Sequence, residues 1–359
     1  MTAVVPSALR KGRGAGSNPA NRFDRITCEP DPEADPAEAS SPTTEFYRDR
    51  SRSVLSFNNS PDIGYDASLN PYRGCEHGCV YCYARPTHEY LGFSSGLDFE
   101  TKIMVKEDAP ALLRARLASP KWEPQTIALS GVTDCYQPAE RRLRVTRQCL
   151  EVLAEFRNPV GITTKNALVL RDLDLLTELA RHRCVSVTIS VTSLDLGLQQ
   201  ALEPRTSAPA KRLEAVRTLA AAGIPVGINV APVIPALNEH EMGPILKAAV
   251  DAGAQWAGHQ VVRLPHAVKE IFTEWIEARF PDRAKKVLNR IRSIHGGKLN
   301  DSRFGVRMKG QGIFADEIHA MFAVACKRAG LEPRRAELST DAFRRPAGRD
   351  SGAQLQLFS

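Results

Sequence analysis

"NPYRGCEHGCVYCYARP", residues 70–86, places Cys75, Cys79 and Cys82 within eight residues and supplies no fourth cysteine beside them. Directly before the cysteines, "YDASLNPY" reads as a short strand. Working outward, short β-branched runs recur as "QTIALSG", "PVGITTK", "VSVTISVT", "IPVGINVAP" and "WAGHQVV". They alternate with helical stretches such as "RRLRVTRQCLEVLAEFR", "LRDLDLLTELARH", "AKRLEAVRTLAAAG" and "EHEMGPILKAAVDAG". A repeat of roughly 25 to 35 residues predicts βα units with right-handed crossovers and a parallel sheet of buried strands. About six units make an α/β fold of the partial, TIM-like (β/α)6 kind, short of a closed eightfold barrel. The cysteines then sit on the first βα loop, at the strand ends where such folds place their chemistry.

The remaining chain divides around this core, which is expected over residues 51–264. Residues 1–50 are rich in Pro, Ala, Ser, Asp, Glu and Arg and show no apolar period, so they read as a disordered leader. Residues 265–346 read as a basic helical extension: positions 265–310 alone carry eleven Lys/Arg against five Asp/Glu, while the whole chain's net charge is +7. The last stretch, 347–359, reads as a flexible tail. With 43% hydrophobic and 25% charged residues the composition is that of a globular protein. The most apolar stretch, "IPVGINVAPVIPALN", is broken by three prolines and two asparagines, and a cytoplasmic location is expected. Eight cysteines in 359 residues are too dilute for a disulfide scaffold, so the clustered ones point to metal.

Two metals compete for three close thiolates. A structural zinc site takes four closed ligands, usually in two separated pairs; with no second pair here, His77 or His88 would have to complete it. That reading makes the chain a non-catalytic zinc-binding nucleic-acid module. A cubane [4Fe–4S] cluster held by three cysteines keeps its fourth iron open to an exchangeable ligand. The missing fourth cysteine then becomes the functional feature.

Three cysteines so spaced in a first βα loop resemble those of the radical S-adenosylmethionine (SAM) enzymes. The resemblance implies that the open iron chelates SAM and that reductive cleavage yields a 5′-deoxyadenosyl radical. It further implies SAM contacts from Tyr83 and from Ser130, Gly131, Thr133 and Asp134 in "LSGVTD" after the second strand. Lys165 in "TTK", Ser190 ending "TISV", and Asn229 with Pro232 in "GINVAPVIPALNE" complete the implied set. Glu203 and Arg205, in "ALEPRTS", are candidates to reach ribose or substrate. A small electron-donor protein is implied as a partner.

Within that superfamily, "YCY" around the third cysteine and the "TD" after the second strand resemble the DNA-repair-photolyase-like branch that includes spore photoproduct lyase. There, tyrosines flanking the cysteine and a cysteine at the second strand end relay a hydrogen atom to the product radical. Tyr81 and Tyr83 match the tyrosines, and the donor cysteine falls at Gly131; Cys135 is the candidate replacement. The tail "QLQLF", with Gln354, Leu355, Leu357 and Phe358, resembles a bacterial sliding-clamp-binding peptide. Together with the basic extension, these features predict a radical SAM enzyme acting on DNA, most simply in lesion repair. Modification of RNA, a protein or a small molecule is the alternative.

Overall fold

The β-branched runs become the strands of one sheet. The computed structural model describes residues 10–24, 43–331 and 336–346. Among these residues the strands are β1 (Glu45–Arg48), β2 (Leu55–Phe57), β3 (Ala67–Leu69), β4 (Tyr72–Arg73), β5 (Lys102–Val105), β6 (Ile127–Leu129), β7 (Val160–Thr164), β8 (Val185–Ser190), β9 (Val226–Val233) and β10 (Ala257–Val261). The main sheet runs β10-β9-β8-β7-β6-β3-β2. Its strands are parallel except for β2, which pairs antiparallel to β3. The expected half-barrel is therefore present.

Burial explains why these strands read as unbroken apolar or β-branched runs. All six residues of β8 are buried, as are seven of the eight in β9, because helices cover one face and the site loops and barrel interior cover the other. The helix Val145–Phe156 shows the complementary pattern, burying Val145, Cys149, Val152, Leu153 and Phe156 at helical spacing. The helices Leu173–Arg181, Pro209–Ala221 and Met242–Asp251 make the next crossovers. Where the β10 unit crosses β9, a Cβ on Gly227 would lie 2.2 Å from the Trp256 ring, so only glycine lets the indole pack flat on the strand.

The sheet stays open between β2 and β10, and two loops meet at this gap. Residues 58–66 connect β2 to β3, and residues 301–310 precede the last helix. Arg307 Nε lies 2.6 Å from Asp62 and its Nη2 lies 2.6 Å from Ser60 Oγ. The Gly305 N–H donates to the same Asp62 carboxylate at 2.7 Å.

The extension is helical as expected, with Val268–Arg279, Pro281–Ile294 and Ile313–Ala329. It shares its cores with the barrel. Phe272, Trp275, Ile276, Val287 and Ile291 pack with Val80, Tyr81 and Leu202 around the cysteine loop. Ala315, Ile318, Phe322 and Cys326 join the main core. No helix among the described residues is long and apolar enough to cross a membrane. Gln354, Leu355, Leu357 and Phe358 lie outside the described residues, as does Cys28.

Two stretches of the expected leader, 10–24 and 43–50, are structured, and for them the expectation of disorder is corrected. β1 pairs parallel with β5, which also pairs antiparallel with β4 to form a small second sheet. The N–H groups of Gly14 and Ala15 donate to the buried Glu100 carboxylate at 3.1 and 2.8 Å, and Arg13 Nη1 donates to the Glu100 carbonyl at 3.0 Å. These contacts are polar and use backbone, so they leave no apolar period in the sequence.

Glu100 also pairs with the fully buried Arg85 at 2.6 Å. Replacing Glu100 with Ala strands that guanidinium and frees the segment, so a loss of about 3 kcal/mol or more is expected in urea unfolding. Trypsin should cut after Lys11 and Arg13 faster in this variant than in the parent.

Candidate active site

β3 hands the chain to the cysteine loop through Asn70. Its side-chain oxygen accepts the N–H groups of Val132 at 2.8 Å and Thr133 at 3.3 Å, tying the first βα loop to the second. Gln137 continues the tie, accepting the Glu76 N–H at 2.9 Å and donating to the Gly74 carbonyl at 3.2 Å. Successive turns then wind the loop, with N–H groups of Gly78, Cys82 and Arg85 reaching back to the carbonyls of Cys75, Cys79 and Cys82. Gly78 has φ +68°, and a Cβ there would lie 2.8 Å from a Glu100 carboxylate oxygen. Arg85 holds the loop from beneath, donating to Cys79 O at 3.0 Å and Gly96 O at 2.9 Å while pairing with Glu100. Neither Arg85 nor Glu100 stood out in the sequence, since nothing local marks a charged residue as buried.

The loop ends over a cavity of about 460 Å³ at the C-terminal ends of the parallel strands. Cys75, Cys79 and Cys82 line it, with Tyr81 and Tyr83, then Ser130, Gly131, Thr133 and Asp134, and farther round Lys165, Ser190, Asn229 and Pro232. Residues spread over more than 150 positions are thus brought to one space, as expected of successive strand ends.

Their side chains have different tasks. Asp134 accepts from Thr164 Oγ1 at 2.7 Å, the Lys165 N–H at 2.8 Å and the Tyr136 N–H at 2.9 Å, so it staples two strand-end loops together. Thr133 Oγ1 donates to the Tyr72 carbonyl at 2.9 Å, and Ser130 Oγ accepts the Cys135 N–H at 2.8 Å. Lys165 makes no ion pair among the described residues, which leaves its ammonium available to an anion. Gly131 has no room to spare, since a Cβ would meet Ser68 Cβ at 3.0 Å and the Tyr65 hydroxyl oxygen at 3.1 Å.

The structure does not bring Cys135 to the cavity. It is 0% exposed and belongs to the hydrophobic core, while its neighbour Asp134 lines the site. The expectation of Cys135 as a hydrogen donor is corrected: its side chain lies in the core, with its backbone N–H held by Ser130 Oγ.

The two tyrosines also differ. Tyr81 is buried and hydrogen-bonded to Glu203, with Thr192 Oγ1 at 3.4 Å. Tyr83 is 41% exposed; its hydroxyl donates to the Gly131 carbonyl at 2.9 Å, and the Arg263 guanidinium lies 4.1 Å from its ring centroid.

Glu203 and Arg205 do not reach toward ribose or substrate as expected. Glu203 is fully buried, pairs with the fully buried Arg212 and accepts from Thr192 Oγ1 at 2.6 Å. Arg205 pairs with Glu76 at 3.1 Å.

The candidate zinc ligands beside the thiols have other partners. His77 is engaged with Asn166 at 3.1 Å and Asp134 at 3.4 Å, and His88 with the Lys102 carbonyl at 3.0 Å. Among the described residues no three His, Cys, Asp or Glu side chains are grouped to hold one metal ion. Three thiols bordering a roomy cavity suit a cluster of several irons, each thiol taking a different iron, better than one small ion.

The sequence model of the radical SAM superfamily matches residues 69–249, just over half of the chain, and the chain belongs to that superfamily. Membership implies a [4Fe–4S] cluster and SAM, for which the three cysteines and the cavity are a fitting site. An uncharacterised Mycobacterium bovis protein is 36% identical over 226 residues, 62% of this chain and 66% of that protein. An uncharacterised Methanocaldococcus jannaschii protein is 31% identical over 173 residues, 48% of this chain and 62% of that one. The match thus spans just under two thirds of these relatives' length. Spore photoproduct lyase complexed with dinucleoside spore photoproduct shares the fold, with a TM-score of 0.56 at 18% identity over 79% of each chain. A variant of that lyase gives a TM-score of 0.58, also at 18% identity and over 79% of each chain.

Burial alone would raise the Glu203 carboxyl, but Arg212 and Lys165, with hydrogen bonds from Thr192 and Tyr81, outweigh it and hold it down at about 2. A depressed carboxyl stabilises the fold above its unfolded value, near 4.5, and that contribution is lost as pH falls toward 2. Urea midpoints measured from pH 6 down to about 2.5 should therefore fall more steeply for the parent than for Glu203→Gln.

Proposed function

We propose that the chain holds a [4Fe–4S] cluster through Cys75, Cys79 and Cys82, binds SAM across the strand ends, and repairs a lesion in DNA. The observation that carries this reading is the single cavity lined by the three thiols and by candidate SAM contacts from successive strands. When bound, the cluster and SAM supply a 5′-deoxyadenosyl radical that removes a hydrogen atom from the substrate. Lys165 offers its ammonium to the SAM carboxylate, while Ser190, Asn229 and Pro232 border the far wall for the nucleoside end. Ser130, Gly131, Thr133 and Asp134 shape the near wall, three of their side chains spent on holding the loop rather than on the ligand. Tyr83, half-exposed in the cavity, is placed to return a hydrogen atom to the product, and Tyr81 stands behind it against Glu203. A small electron-donor protein supplies the reducing electron.

The choice of DNA is supported by the fold shared with spore photoproduct lyase and by the basic helix Pro281–Ile294. Lys285, Lys286 and Arg292 on that helix are exposed, whereas Arg290 is stacked on Phe314 at 3.3 Å. The clamp-like tail extends the reading to recruitment onto DNA.

Anaerobic reconstitution should load iron and sulfide into the parent and into Cys149→Ala, whose cysteine is core. Alanine at Cys75, Cys79 or Cys82 should abolish reductive SAM cleavage, and a variant lacking all three that still cleaves SAM would exclude the cluster site. Tyr83→Phe should cleave SAM but release 5′-deoxyadenosine in excess of product when incubated with UV-damaged DNA, as read by mass.

DNA binding should weaken with salt. Neutralising Lys285, Lys286 and Arg292 together should reduce the log–log slope by about 3 if each meets a phosphate. An unchanged slope would assign these residues to ordinary surface.

A further inference from the structure

The cavity is lined by a second cation besides Lys165. Arg263 follows β10 and lines the cavity beside Tyr83, with its guanidinium 4.1 Å from that ring's centroid. Other arginines near the loop are matched by carboxylates: Arg85 by Glu100, Arg212 by Glu203, Arg205 by Glu76 and Arg307 by Asp62. Arg263 makes no ion pair among the described residues; it lies against Tyr83, and the Asp62 carboxylate that also acts on it is held by Arg307. Burial pushes its guanidinium below the ordinary value, a sign that the charge sits in poorly solvated surroundings.

A desolvated, unpaired cation is costly unless an anion completes it. Lys165 and Arg263 cannot share one anion easily. Lys165 follows β7 and Arg263 follows β10, three strand spacings apart in the sheet order, or roughly 14 Å at about 4.8 Å per step. SAM brings one carboxylate, and Lys165 takes it in the proposed function. The second anion must belong to the substrate.

We infer that Arg263 is a substrate-binding residue that takes a phosphodiester of the nucleic acid, setting the adjoining base against Tyr83. This rests on the proposed function and makes it more specific. The planar fork offers paired donors to a phosphate while its face stays on the phenol ring, a combination that an ammonium cannot reproduce. A phosphate held there lies next to the tyrosine proposed to return the hydrogen atom, so one residue couples recognition of the backbone to placement of the lesion.

The test uses the reconstituted full chain with SAM bound and two probes: thymidylyl-thymidine, which carries one phosphodiester, and thymidine, which carries none. Calorimetric titration should show Arg263→Gln weakening the dinucleotide roughly tenfold to a hundredfold while leaving thymidine and SAM affinities unchanged. Arg263→Lys should restore part of the loss. Equal weakening of both probes, no weakening of either, or no dinucleotide binding by the parent would overturn the assignment. A fall in SAM affinity would also overturn it by moving Arg263 to the SAM carboxylate. Reductive SAM cleavage measured on the same samples reads the radical SAM assignment separately, so a parent that cleaves SAM yet ignores the phosphodiester fails only on this inference.

Discussion

Arg85 and Glu100 lie fifteen residues apart, both fully buried, and their ion pair joins the cysteine loop to the N-terminal segment. The guanidinium fastens the carbonyl of Cys79, the carboxylate collects the N–H groups of Gly14 and Ala15, and the Gly78 turn fits against the same carboxylate. Charges taken out of water are tolerated only when every donor and acceptor is answered. Here the answers come from the cysteine loop on one side and the N-terminal segment on the other. The loop proposed to hold a cluster is thereby fixed by interactions none of which involves a thiol.

A second level of order comes from Asn70, Gln137 and Asp134, which link successive βα loops through side chains rather than through the sheet. Strand ends diverge as a parallel sheet twists, so residues displayed there need lateral ties to keep a common geometry. Asp134 shows the consequence. A carboxylate that seemed suited to a ligand is spent on the Thr164 hydroxyl and the Lys165 amide, and in return the Lys165 ammonium is left to face the cavity.

The six parallel strands were readable because strands buried on both faces must be apolar or β-branched along their whole length, and such runs stand out. The cysteine cluster was readable because its ligands are local. Residues at strand ends were readable as a set, since βα topology gathers them regardless of sequence distance. What escaped was direction and burial. Asp134 and Cys135 are neighbours, yet one lines the cavity and the other lies in the core. Glu203 has the composition of a surface residue and is instead enclosed by Arg212, Thr192 and Tyr81. The N-terminal segment escaped for a different reason: it is held through its backbone, and backbone donors have no sequence signature.

The open edge of the half-barrel gives the site an unequal architecture. Three sides rest on a continuous ladder of backbone hydrogen bonds and an apolar core. The fourth, between β2 and β10, is a meeting of two loops through Asp62, Ser60, Gly305 and Arg307, residues more than 240 positions apart in the chain. Amide exchange through local opening is governed by the contacts broken in that opening, and here they include the Asp62 and Ser60 hydrogen bonds and the bond from the Val261 N–H to the Met308 carbonyl. Amides of the fourth side are therefore expected to exchange before those of the sheet and the cysteine loop. In evolutionary terms the same division makes that wall replaceable: loop lengths and charges there can change what enters without disturbing the sheet or the cysteine loop.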